Sequence, residues 1–89
     1  MRAVITVIGK DKVGILASVS ALCAKYNVNI LEVSQSIMHE LFCMIMLADV
    51  SKCSSEFSVF AKACVEAGEK SNLDIRVMHE DIFDSMHRI

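Results

Sequence analysis

This chain predicts an α+β sandwich, a four-stranded antiparallel sheet in the order 4-1-3-2 with two helices on one face. Three observations carry that expectation. Two segments, Arg2 to Ile8 and Leu41 to Val50, are apolar on both faces, which suits central strands. Two others, Asn29 to Met38 and Leu73 to Met78, alternate apolar and polar residues, which suits the edges. Between them lie two stretches with apolar residues three and four apart, the spacing of one helix face.

The elements follow in order. "RAVITVI" is β-branched and apolar, a first strand. From Val13 to Tyr26 a stripe of Leu16, Val19, Cys23 and Tyr26 predicts a helix, with Asp11 as its N-cap. "YNVN" breaks it, and "NILEVSQSIM" is a second strand with Glu32, Ser34 and Ser36 on one side. "MHEL" turns the chain over into "LFCMIMLADV". That third strand offers the core either Cys43, Ile45 and Leu47 or Phe42, Met44 and Met46, and both sets are apolar.

Ser54 or Ser55 can cap a second helix with the stripe Phe57, Phe60, Ala61, Cys64 and Ala67, ended by Gly68 or Asn72. "LDIRVM" is the fourth strand. The tail from Glu80 to Ile89 carries Ile82, Phe83, Met86 and Ile89 at helical spacing, acids first and His87-Arg88 last, as a short docked helix does. The order β-α-β-β-α-β with right-handed crossovers is the ferredoxin-like arrangement.

Eighty-nine residues, 1–89, make one small domain, and 54% of them are hydrophobic. A domain this small cannot hide so much apolar surface, and the second strand has an open edge whose backbone groups need partners. A homodimer is expected, by pairing of edges or stacking of bare sheet faces. A net charge of −2 and a pI near 5.8 argue against direct binding of nucleic acid or an anionic membrane. The longest apolar run, Leu41 to Ala48, is too short to span a bilayer, and the N-terminus has no signal-peptide pattern. A cytoplasmic location is expected. The four cysteines, Cys23, Cys43, Cys53 and Cys64, never form C-x-x-C and read as reduced small hydrophobes.

The loop "GKDKVGIL", residues 9–16, is the most distinctive stretch. It lacks the lysine and hydroxyl of a Walker loop and the spacing of a Rossmann turn. It has no cysteine pair for a soft metal and no arginine for a phosphoryl group. The central strands offer only Phe42 for stacking RNA bases. No nucleophile–base pair can be placed, so no catalytic residue, cofactor or enzymatic activity is expected. "MHE" occurs at 38–40 and 78–80, but the topology puts the triplets at opposite ends of the sheet, and each supplies too few ligands. No metal is expected.

"GKDKVGILASVSALCAKYNVNI" resembles the first βαβ unit of the ACT domain, with its turn of the type G-x-D-[RK]-P-G-[IL]-[LA] and a later "[VI]NI". Spacing and order carry the resemblance to about Met78, and the tail "IFDSMHRI" is like that of small free-standing ACT proteins of the UPF0237 kind. Val13 stands where many ACT domains have proline. The resemblance implies a regulatory module that binds a small effector, an amino acid above all, at a dimer interface, and passes the signal to a protein partner in amino-acid metabolism. It implies a composite site of Gly9, Asp11, Val13, Gly14 and Ile15 from one chain and Asn29 and Ile30 from the other. The loop's chemistry is compatible: Gly14 lets a ligand approach the backbone, and free N–H groups at a helix start suit a carboxylate. Asp11 could cap the helix or accept a bond from a ligand's ammonium group. A ligand-independent interaction module or accessory transcriptional regulator is the alternative.

Overall fold

The computed structural model describes residues 1–10 and 14–86. Its elements are β1 (Arg2–Gly9), α1 (Ile15–Lys25), β2 (Asn29–Met38), β3 (Leu41–Asp49), α2 (Phe57–Lys70), β4 (Asp74–His79) and α3 (Glu80–Met86). The sheet runs β2-β3-β1-β4 with every neighbouring pair antiparallel, the arrangement expected from the sequence.

Register settles which face of β3 is buried. Met46 lies opposite Ile5, Met44 opposite Val7 and Phe42 opposite Gly9, and residues directly opposite share a face. All of these pack with Ile15, Val19 and Cys23 of α1 and Phe60 and Cys64 of α2. The set Cys43, Ile45 and Leu47 therefore takes the other face. Phe60 is fully enclosed and meets the Tyr26 ring edge-on at 5.6 Å between centroids. Its truncation to alanine would remove about 3–5 kcal/mol, much of the margin of a small domain.

That other face is half covered. Val4 is buried although it takes no part in the main core; by register it sits between Leu47 and Met78. The element that packs on β1 and β4 at this point is α3, held at its start by Arg2, whose guanidinium donates to Glu80 at 2.9 Å. Further along the same face Ile8 and Ile45 stay exposed.

Several local expectations are corrected. Helix α1 begins at Ile15 rather than Val13, with Gly14 at the N-cap position; Asp11, the expected cap, lies outside the described residues. Leu16 is exposed, and Ile15 fills the core in its place. At α2 the N-cap is Glu56, without a side-chain bond. The two serines serve the loop instead: Ser54 N–H donates to Tyr26 O at 2.9 Å, and the Ser55 hydroxyl donates to Glu56 O. Gly68 does not end α2 but lies buried within it, where a Cβ would come 2.8 Å from Leu73 O and from Ile75 Cγ1. The chain reverses at Asn72, in the left-handed region at φ 58°. Leu73 N–H closes that reversal on Gly68 O, so β4 starts one residue later than expected. The tail helix is present as α3; His87, Arg88 and Ile89 lie outside the described residues.

Candidate ligand site

The sheet's two ends carry different parts of the expected site. Gly9 closes β1 opposite Phe42, at the end where β2 reaches Met38 and turns. Asn29 opens β2 opposite Asp49, which in turn pairs with Arg2 at the far end. One chain therefore does not bring Gly9 and Asn29 together. Asp11 and Val13 lie outside the described residues.

The two loop glycines are small for different reasons. Gly9 is buried, and a side chain there would overlap the Leu73 side chain, so its missing Cβ serves packing of the α2–β4 turn. Gly14 has φ 76°, is exposed, and meets nothing within 4 Å of a Cβ position. Its backbone is left-handed, which glycine adopts without strain, and the space above it is open. Among the described residues no side chain caps the first N–H groups of α1, which lie at the positive end of the helix. Ile15 points into the core, and Ile30 is half-buried against it.

At the Asn29 end lies an open cavity of about 440 Å³. Asn27, Asn29, Asp49, Ser51 and Lys52 supply its polar wall. Asn27 sits at φ 57° and its amide donates to Lys52 O at 2.9 Å, which ties the α1–β2 turn to the β3–α2 loop. Ser51 N–H donates to Asp49 Oδ1 at 2.9 Å. Hydrogen bonds from the Ser51 hydroxyl and N–H hold the Asp49 carboxyl below the ordinary carboxylate range, so it is ionised at neutral pH. Sequence reasoning missed Asp49, Ser51 and Lys52. The Asp-x-Ser turn was a usable signal, but their meeting with Asn27 and Asn29 is a tertiary event.

The repeated triplet brings no cluster together. His39 makes the β2–β3 turn at φ 58°, while His79 closes β4 and lies against the Phe57 ring, 4.4 Å between centroids. Among the described residues no group of three or more histidines, cysteines or acids could hold a metal ion. No helix there is long and apolar enough to cross a membrane.

Known proteins place this geometry. Residues 2–78 match the description of the ACT domain. A UPF0237 protein of Clostridium perfringens is 54% identical over 89 residues, covering 100% of both chains. An ACT domain protein from Streptococcus pneumoniae superposes with a TM-score of 0.82 at 34% identity over 94% of each chain. A formyltetrahydrofolate deformylase from Pseudomonas syringae matches with a TM-score of 0.76 and 26% identity, over 88% of this chain but only 27% of its own. The likeness to that enzyme is thus confined to one region of a larger protein. ACT domains are typically regulatory modules that bind small molecules. With the strand order, the glycine turn into α1, the full-length relatives and the matched residues all in agreement, the chain belongs to the ACT domain family.

Proposed function

We propose that this chain is a non-enzymatic sensor: a homodimer that binds an amino acid and signals its presence to a metabolic enzyme or regulator. One observation carries the reading. All of β2 except Ile30 is exposed, along a strand of ten residues with a free edge. Antiparallel pairing of two β2 edges about a two-fold axis sets each Asn29 toward the Met38 end of the partner strand. That is the end at which Gly9 and Gly14 lie, two strand spacings from the chain's own β2 and three, roughly 14 Å, from the partner's. A ligand carboxylate would sit on the N–H groups at Gly14 and Ile15 at the start of α1, with Asp11, Val13 and the partner's Asn29 around it. Four free thiols accord with a reducing compartment, and we take the cytoplasm as its location.

The test is a thermal-melt screen against the twenty amino acids. A ligand at 100 times its dissociation constant adds about 2.7 kcal/mol, several degrees for a domain of this size. A selective shift, lost in Asn29→Ala and Asp11→Ala, is the expected result. A flat panel would replace this reading with the ligand-independent interaction module.

A further inference from the structure

The cavity at the Asn29 end has an exposed cation in its wall, Lys52, and the opposite end of the same sheet carries an exposed acid, Glu40, at the tip of the β2–β3 hairpin. The tip is a tight projection. Met38 and Leu41 pair across it, and His39 turns at φ 58°, in the left-handed region typical of two-residue hairpins. Among the described residues neither the Glu40 carboxylate nor the Lys52 ammonium takes part in an ion pair. The two cannot meet within one chain, because β3, nine residues long, sets roughly 30 Å between them. The Lys52 backbone is nevertheless fixed: its carbonyl accepts from Asn27 at 2.9 Å, and two residues on, Ser54 N–H donates to Tyr26 O.

Pairing of two β2 edges brings these groups together across the two-fold axis. Residues directly opposite in a ladder share a face, and full overlap of two ten-residue strands then centres the axis on Ser34. With the skip after Ile30 counted as it is against β3, Glu32 lies opposite the partner's Ser36, Ile30 opposite the partner's Ile37 and Asn29 opposite the partner's Met38. The partner's His39 and the partner's Glu40 then pass the Asn27–Asn29 turn one strand spacing away, roughly 5 Å. Lys52 lies just behind that turn, and its flexible four-carbon stem can carry the ammonium across it. We infer that Lys52 pairs with the partner's Glu40, twice per dimer, so that each hairpin tip is seated at the rim of the facing cavity. This rests on the β2-paired dimer proposed above and adds what sets its register. Apart from Glu32 the side chains of β2 are apolar or uncharged, so the edge alone specifies register weakly. A slip of two residues carries both tips about 7 Å from their seats, and both ion pairs are lost.

The test uses charge reversal and mixing. Lys52→Glu and Glu40→Lys, both at exposed positions, should each weaken self-association by roughly tenfold in analytical ultracentrifugation at low salt, and the deficit should shrink at high salt. Circular dichroism like that of wild type confirms the fold of each variant. An equimolar mixture of the two should associate as tightly as wild type, because the mixed dimer keeps the native pair at one end and carries it reversed at the other. The inference is overturned if each variant dimerises like wild type, or if the mixture is no tighter than its components. In either case a wild-type dimer that Val33→Lys disrupts leaves the edge pairing standing. A wild type that stays monomeric removes the edge pairing and the ion pairs with it.

Discussion

The two edges of the sheet are built on opposite principles. β4 is short, with six residues, and its exposed side chains include Asp74 and Arg76, whose Nε and Oδ1 lie 3.3 Å apart. It is backed by α2 and runs straight into α3. Shortness, charge and a following helix are the devices that keep an edge from pairing. β2 has none of them. It is ten residues long, holds a single charged residue, Glu32, and exposes Leu31, Val33, Ile37 and Met38. In a domain whose other edge is so guarded, the unguarded one is where the proposed second copy would pair.

The largest test of that contrast is the pair Val33→Lys and Ile37→Lys. Both side chains lie near the centre or end of the pairing strand and are exposed in the single chain. Losing them from the interface should raise the dimer dissociation constant by about a hundredfold or more, read by analytical ultracentrifugation. Arg76→Val on β4 should leave the association state unchanged. Association that survives the lysines would move the interface to the open sheet face.

Next in size is Gly68→Ala. β4 lies so close to α2 that the added methyl meets Leu73 O, a backbone atom that cannot swing aside as a side chain end can. The expected cost is about 1–3 kcal/mol in urea unfolding, with the dimer contact untouched. A variant as stable as the parent would mean that the β4 edge is looser than its packing implies.

The smallest effect concerns the two sheet faces. Burial pushes the Cys23 thiol up to about 11 and the Cys64 thiol up to about 12. Above about pH 9 the unfolded chain releases these protons while the folded chain holds them, so stability falls as pH rises through that window and is intact below it. Cys43, on the opposite face and half-exposed, should react with a thiol reagent at neutral pH, while Cys23 and Cys64 stay silent until unfolding. Mass mapping of the labelled peptides reads the order directly.

The strands were legible because periodicity is local: β2 has the bounds its alternation predicts, Asn29–Met38. β3 was placed as a central strand, but its buried face was not legible, since apolar residues on both faces leave no contrast to read, and only pairing with Ile5 and Val7 chose Met44 and Met46. The α2 cap failed for a related reason. Ser54 and Ser55 have good local chemistry, but the helix start follows where the chain leaves the sheet, and the Ser54 N–H is drawn to Tyr26 O far back in sequence. The glycines of the loop could be singled out from sequence, though not that Gly9 serves packing and Gly14 the turn. Asp49 and Lys52 were invisible as lining of the cavity because their neighbours there, Asn27 and Asn29, lie a whole β-hairpin away along the chain.

The ladder between β2 and β3 skips a residue between Ile30 and Glu32, leaving Leu31 without a cross-strand partner. Such a bulge breaks the strand's phase: Ile30 and Val33 face the helices together although strict alternation would separate them. The two halves of β2 are thereby uncoupled in heredity as well as in geometry. A one-residue insertion or deletion near position 31 can be absorbed on the spot, without inverting the stretch from Glu32 to Met38. The Asn29–Ile30 start of the strand and the Glu32–Met38 stretch can then be altered by selection as separate traits.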